Sequence, residues 1–210
     1  MKNKCIYQER YLEHQSRKIE SLKGKKEETS FEKNTNFEVK QKLENFLELI
    51  TNRRSQRQFN MIPISNSELF YIRKAIQLTP SSCNRQAIYI IDTDKDFAES
   101  MLVGGKGWIN KANKIFLVFA DRKAYKSPSE KLFMPYLDAG FVSQNVYLMC
   151  ETLNIGCCFV NPNMINENIE IFENKYGDDI FCGALVIGNY NEKANTPPIR
   201  DIKEVQRLWI

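Results

Sequence analysis

The chain has 210 residues, enough for one domain of ordinary size and an appendage, and a formal net charge of +4. Residues 1–42 hold 11 Lys and Arg against 7 Asp and Glu, whereas the remainder holds 19 of each sign. This distribution argues against a basic nucleic-acid-binding surface on the folded body. No apolar run reaches the roughly 18 residues of a membrane helix, and the N-terminus lacks a secretory apolar segment, so we expect a cytoplasmic protein.

The first 40 residues are polar and basic, without a sustained apolar period, and predict a flexible or partly helical extension. A solvated tail is favoured over an arm that binds nucleic acid or lipid. The folded body is expected to span residues 41–210. Its first helix is indicated by apolar residues at helical spacing, namely Leu43, Phe46, Leu47 and Ile50.

Shorter elements follow this helix. The pattern predicts a helix capped by Ser65 or Ser67 and ended by Thr79-Pro80, a short buried strand at Ile88–Ile91, a loop opening at Asp92–Asp96, a mobile turn at Gly104–Gly107 and a strand at Ile115–Ala120. The glycine-rich turn lacks the spacing of a dinucleotide-binding fingerprint.

The longest helix is predicted over residues 134–153. Its side chains are apolar nearly all round, as in a helix buried in a core or a dimer interface. Asn154 or Gly156 is expected to take the left-handed conformation that ends it. Two further strands, Cys157–Val160 and Ala184–Ile187, are separated by a helix around residues 164–176. Few, short strands among dominant helices predict an α+β fold.

Six cysteines and a single histidine restrict the metal and redox chemistry. No C-x-x-C pair occurs, and His14 lies in the extension, so a Cys/His zinc site is not expected. Adjacent Cys157 and Cys158 cannot normally join without strain. We expect reduced, mostly buried cysteines, and no Ser-His-Asp or Cys-His catalytic arrangement in the body.

Two polar segments could carry chemistry. Arg53–Arg57 places three guanidiniums and a hydroxyl within five residues, which suits a phosphate because Arg offers paired donors. The same cluster could equally complement a helix C-terminus. Thr79–Gln86 offers hydroxyls and amides that could face a flat heteroaromatic ring or cap their own turns. Asp138, on the apolar helix, is expected at a helix start or interface rather than in acid–base chemistry.

In this order the two segments resemble the nitroreductase family, whose opening pattern is R-R-S-x-R-x-F followed by P-S-S-x-N-x-Q. Arg53–Phe59 and Pro80–Gln86 match it position for position. Later segments similar to family motifs are Asp138–Asn145, Asn154–Phe159, and Ala184–Gly188 with Pro198–Arg200. The resemblance covers about residues 43–202. The chain departs from the family pattern at Ala87, Ile88, Asn154 and Pro198.

The resemblance implies a three-layer α+β fold, with a small mixed or antiparallel sheet flanked by helices, in an intertwined homodimer. It also implies FMN, reduced at flavin N5 by NADH or NADPH, and a ping-pong reduction of a nitroaromatic, quinone or similar acceptor. No catalytic side chain is implied, since the chemistry is on the flavin. The implied cofactor-binding residues are Arg53, Arg54, Ser55, Arg57, Ser81, Ser82, Asn84, Gln86, Lys106, Cys158, Phe159, Asn161 and Arg200.

Carried over by position, Arg53, Ser55 and Arg200 would hold the phosphate. Arg57 would face the pyrimidine edge, where a cation stabilises the negative charge of the reduced ring and raises its potential. The serine-rich loop would come from the second subunit, and residues 158–161 would pass beneath the ring near N5. Two alternatives stay open: a flavin-binding dimer with a narrow biosynthetic or sensing role, and a flavin-free dimerisation module whose basic tail binds an acidic partner.

Overall fold

The protein is described by a computed structural model, which covers residues 37–60, 62–199 and 201–205. The chain divides into two compact units after Phe46. In the first, residues 37–46 are helical, and Lys42 pairs with Glu38 one turn away at 2.7 Å. The predicted extension lies almost entirely outside the described residues, so its boundary at residue 40 stays a prediction.

Helices and strands account for most of the described chain. In order they are α1 (Phe37–Asn52), α2 (Asn66–Gln77), β1 (Ile88–Asp92), α3 (Lys95–Met101), β2 (Lys114–Ala120), α4 (Pro128–Thr152), β3 (Gly156–Val160), α5 (Asn166–Tyr176) and β4 (Ile180–Gly188). No helix within these ranges is long and apolar enough to cross a membrane.

Helix α4 begins six residues before its predicted start. Ser127 and Glu130 form a capping box, and Pro128 occupies the first turn, where its missing N–H costs nothing. Asn154 has a φ of 55° and confirms the predicted left-handed residue after the helix. Local capping signals therefore set both ends of this helix more accurately than its apolar pattern did.

Two other elements also follow from caps. Ser65 forms the predicted cap of α2, in a capping box with Glu68. Helix α3 replaces part of the loop expected after β1, because Asp94 accepts a hydrogen bond from the Phe97 amide and starts a helix there.

The four strands form one antiparallel sheet in the order β1-β2-β4-β3. The predicted small sheet is confirmed, and its pairing is antiparallel throughout. Strand β1 lies at an edge, so its side chains are only partly buried. The predicted strand is present, but the expectation that it is buried was wrong.

Side chains of β2 alternate between two cores, because successive residues of a strand point to opposite faces. Phe116 and Val118 pack with α2 and α4 on one face. Ile115 and Leu117 pack with α3 and α5 on the other. Helices thus cover both faces of the sheet, and the predicted three-layer α+β architecture is confirmed.

A bulge near the start of β4 makes room for an aromatic ring. The β2–β4 register shifts between Val118 and Phe119, and Gly183, opposite Val118, has a φ of 134°. A Cβ atom at Gly183 would lie 2.4 Å from Cζ of Phe159. The glycine therefore allows Phe159, a predicted site residue on β3, to lie close to the sheet.

Candidate functional site

The segment Arg53–Arg57, called the arginine segment below, runs beside strand β3. Ser55 forms a parallel bridge with Cys157, and the Gln56 amide donates to the Cys157 carbonyl at 2.9 Å. The backbone here is extended rather than helical, so neighbouring side chains point to opposite sides. Ser55 and Arg57 therefore share one side of the segment, and Gln56 lies on the other.

A tyrosine from α4 organises the side that carries Ser55. The Tyr147 hydroxyl lies 3.2 Å from Ser55 Oγ and accepts a hydrogen bond of 2.7 Å from the Phe159 amide. The Arg53 guanidinium lies 5.0 Å from the centre of the Tyr147 ring. Burial raises the pKa of Tyr147 to about 12, so the phenol stays neutral at physiological pH. Tyr147 thus connects the arginine segment to Phe159 on β3, and both belong to the same half of the predicted site.

Sequence reasoning placed Tyr147 among the apolar residues of the long helix and missed this role. Its position in an apolar helix is the ordinary setting of a core aromatic residue. Nothing local in the sequence distinguishes its hydroxyl from that of any other helical tyrosine.

Arg57 lies against both an aromatic ring and a thiol. Its guanidinium is 6.0 Å from the centre of the Trp108 ring, and that ring stacks on Phe59. Burial raises the pKa of the Cys158 thiol, although the Arg57 charge opposes the rise. Arg57 is itself exposed. Its charge is therefore held at the edge of β3 while remaining accessible to a ligand.

The charges on this side are suited to an anion. Among the described residues, neither Arg53 nor Arg57 forms an ion pair with a carboxylate, whereas Arg85 and Lys193 each do. Two guanidiniums and the Ser55 hydroxyl thus provide charged and neutral donors beside β3. This donor set fits a phosphate-bearing cofactor such as FMN.

Arg54 has a different environment. One of its nitrogens donates to the carbonyls of Thr51 and Arg53, and the other donates to Thr196 Oγ1. For this arginine the helix-end interpretation describes the contacts that the structure contains. Its part in cofactor binding stays a prediction.

The glycine-rich turn borders the end of β3. The Val103 amide donates to the Asn163 carbonyl at 3.1 Å, and a Cβ atom at Gly104 would lie 3.6 Å from Asn161 Oδ1. Lys106 is exposed on this turn. The structure therefore brings the turn of Lys106 close to Asn161. Arg200 lies outside the described residues.

The second predicted segment is fixed by a buried carboxyl group. Ser82 donates to Asp138 Oδ1 from its amide at 2.9 Å and from its hydroxyl at 2.8 Å, and the Tyr125 hydroxyl donates to Oδ2 at 3.1 Å. Asp138 is 0% exposed in the interior of α4. The expectation of a helix start or interface was wrong, because the helix begins ten residues earlier and the side chain is buried within the chain.

The loop held by Asp138 has an unusual backbone. Cys83, Asn84 and Gln86 have φ values of 53°, 52° and 50°, in the left-handed region. Such conformations cost of order 1–3 kcal/mol each and persist where surrounding contacts impose them. The Gln86 amide donates to Ser81 Oγ at 2.8 Å, which closes the loop. The loop thereby presents Asn84 and Gln86 to solvent.

The two segments attach to opposite sides of α4. Nine residues separate Asp138, which holds the loop, from Tyr147, which contacts the arginine segment. That spacing is about 14 Å along the axis and about half a turn around it. The two predicted halves of the site are therefore supported by opposite faces of one helix.

Removing the carboxyl group of Asp138 should release the loop. Asp138→Ala leaves the Tyr125 hydroxyl and the Ser82 amide without their acceptor, so we expect a loss of about 2–4 kcal/mol in the free energy of unfolding. Asp138→Asn keeps an acceptor for Ser82 and should recover most of this loss. Urea unfolding of both variants measures the effect. An alanine variant as stable as the wild type would contradict the assigned role.

Comparison with known proteins identifies the family. The profile of the family described as "Putative TM nitroreductase" matches residues 45–208. Two FMN reductases of Bacillus subtilis strain 168, one described as using NAD(P)H and one NADPH, are each 27% identical to the chain over 172 and 135 residues. These alignments cover 71% and 56% of this chain, and 67% and 54% of the two relatives.

The fold is shared with a solved structure. A Desulfovibrio desulfuricans protein, described as a "putative nitroreductase in complex with FMN", is 23% identical and superposes with a TM-score of 0.66. The match covers 76% of this chain and 94% of that one. With its helices on both faces of an antiparallel sheet and its family profile matched over most of its length, the chain belongs to the nitroreductase family.

Proposed function

We propose that the protein is an FMN-dependent oxidoreductase that uses NADH or NADPH to reduce a small electron-poor acceptor. The observation that carries the proposal is the donor set of Arg53, Ser55 and Arg57 beside β3, with neither guanidinium paired to a carboxylate among the described residues. The names of the Bacillus subtilis relatives and the FMN complex of the Desulfovibrio protein support the choice of cofactor.

The protein's part in the reaction is binding and electrostatics. Arg53 and Ser55, with Arg200, would hold the phosphate, while Arg57 would provide a positive charge at the pyrimidine edge of the ring. Residues 158–161, at the end of β3 and directly after it, would support the ring. When bound, FMN would supply the redox chemistry, namely the transfer of electrons from NADH or NADPH to a nitroaromatic, quinone or similar acceptor in a ping-pong cycle.

The active form is a cytoplasmic homodimer with shared sites. Large apolar side chains on α4 are exposed in the single chain, including Leu132 at 75% and Phe133 at 56%. A second copy would cover them, and patches of this kind mark interaction surfaces. The dimer would also let the loop of residues 81–86 complete the partner's site. A monomer at micromolar concentration in sedimentation would contradict this arrangement.

The colour and content of the purified protein test the cofactor. We expect a yellow protein that releases FMN on denaturation and oxidises NADH or NADPH when a quinone or nitroaromatic compound is added. Bound FMN without such turnover would favour the narrow biosynthetic or sensing role. A colourless protein that does not take up added FMN would favour the flavin-free dimerisation module.

The basic extension should be dispensable for this activity. Residues 1–38 are polar and charged and lack a core pattern, so their deletion should leave flavin content and dimerisation unchanged. Flavin content per subunit and sedimentation of the truncated protein measure both. If the truncated protein lost its flavin, the extension would belong to the folded domain, and the boundary at residue 40 would be wrong.

A further inference from the structure

We propose that Gln56 is a positioning residue that clasps the C-terminal segment onto the arginine segment and thereby sets the phosphate end of the cofactor site. This inference rests on the proposed function. Gln56 occupies the variable position of the R-R-S-x-R pattern and was not among the residues expected to bind the cofactor. The residue is nevertheless only 3% exposed, which is unusual for glutamine.

Every polar group of the Gln56 side chain is used. Nε2 donates to the carbonyls of Gln58 and Glu192, at 2.8 and 2.9 Å, and Oε1 accepts from the Ala194 amide at 2.9 Å. Two of these three bonds reach across to the segment that follows β4. A buried side-chain amide whose hydrogen bonds are all formed fixes the geometry of both segments that it joins.

A glycine on β3 provides the space for this side chain. A Cβ atom at Gly156 would lie 2.6 Å from Cγ and 2.9 Å from Cβ of Gln56. The backbone amide of Gln56 also donates a hydrogen bond to the Cys157 carbonyl on the same strand. Gln56 is thus held against β3 on one side and against residues 192–194 on the other.

This contact fixes the register of the arginine segment. With Gln56 directed inward, alternation along the extended backbone directs Ser55 to the Tyr147 side. A slip of one residue would exchange the two sides of the segment. Next to the contacts of Gln56, Arg54 donates a hydrogen bond to Thr196. The two segments therefore stay together as far as Arg53, which directly follows α1.

Arg57 has a separate support. It lies over Trp108 and beside Cys158, and neither contact involves residues 192–196. Loss of the clasp should therefore disturb the phosphate end more than the ring end. Riboflavin, which has the ring but no phosphate, separates the two effects.

Gln56→Met keeps the length of the side chain and removes its hydrogen bonds. We expect its FMN affinity to fall about tenfold and its riboflavin affinity to change less than about twofold, so the ratio of the two affinities falls about tenfold. The reduction potential of the bound flavin should stay at the wild-type value. Titration of the full-length apoprotein with each flavin measures the ratio. Equal losses for both flavins, or an unchanged ratio, would overturn the inference.

Two further variants keep the test decisive. Lys193→Met removes an ion pair with Glu151 from the same segment without touching the arginine segment, so the ratio should stay at the wild-type value. Thr196→Val removes the exposed contact with Arg54 and should lower the ratio by less than Gln56→Met does. If Gln56→Met fails to fold, Thr196→Val still tests the inference. A fall for Lys193→Met but not Thr196→Val would overturn the inference. Wild-type protein that binds no FMN would overturn the proposed function itself.

Discussion

Replacing Arg57 with alanine is expected to lower the reduction potential of the bound flavin by about 30–60 mV, equivalent to about 1.4–3 kcal/mol for a two-electron couple. Negative charge accumulates on the ring during reduction, and in the proposed arrangement the Arg57 cation at its pyrimidine edge would stabilise that charge. Reduction by NADH or NADPH should also slow, whereas FMN affinity should fall only modestly. Equilibration with a reference dye measures the potential.

Arg57→Lys separates charge from shape. Lysine keeps the positive charge but cannot reproduce the planar contact with Trp108, so the potential should return most of the way to the wild-type value. Arg122→Ala is the matched control, since its guanidinium donates instead to the Asp178 carbonyl. A wild-type potential in Arg57→Ala would place the ring away from this residue.

Replacing Arg53 with alanine should change the affinity for FMN more than the reduction potential. Loss of a charge-assisted phosphate contact, worth roughly 1.5–3 kcal/mol, should weaken FMN binding about ten- to a hundredfold. The potential should hardly change, because the phosphate is remote from the ring. The same result is expected for Arg200→Ala. FMN titration of the apoproteins measures affinity.

The two predictions differ in the quantity that changes: Arg57→Ala should change mainly the reduction potential, and Arg53→Ala mainly the affinity for FMN. If Arg53→Ala or Arg200→Ala shifted the potential while Arg57→Ala left it unchanged, the flavin would bind in a different orientation. Riboflavin is the matched control ligand here, since its affinity should be insensitive to the loss of a phosphate contact.

The strands, the cap at Ser65 and the left-handed Asn154 could be predicted from the sequence because they depend on local chemistry. The apolar run at Ile115–Ala120 could be recognised since a central strand is buried on both faces. The early start of α4 was missed because its first turns are largely polar or exposed, and only the capping box marks them. Helix α3 was missed for the same reason: its signal is the single cap at Asp94.

The candidate site was predictable only as motifs along the chain. The arginine segment and the serine-rich loop could be recognised by their order and spacing. Gln56 and Tyr147 could not, because their roles depend on residues 92 to 138 positions away in sequence. Asp138 was misplaced because an acid on an apolar helix gives no indication of a partner 56 positions away. Long-range contacts of single side chains require the tertiary structure.

The central claim is that each flavin lies between the arginine segment of one subunit and the loop of residues 81–86 of the other. It is tested most directly by pairing two defective subunits, one with Arg53 and Arg57 replaced by alanine and one with Asn84 and Gln86 replaced by alanine. Each variant alone should bind FMN poorly. In a mixed dimer, purified with a different tag on each subunit, one site collects both defects and the other is intact.

The FMN content of that mixed dimer is the decisive measurement. The shared site predicts recovery of about one FMN per mixed dimer with wild-type affinity, because one intact arginine segment meets one intact loop across the two-fold axis. If both halves of each site came from the same chain, every site in the mixed dimer would carry a defect. A mixed dimer that binds FMN no better than either variant alone would contradict the account.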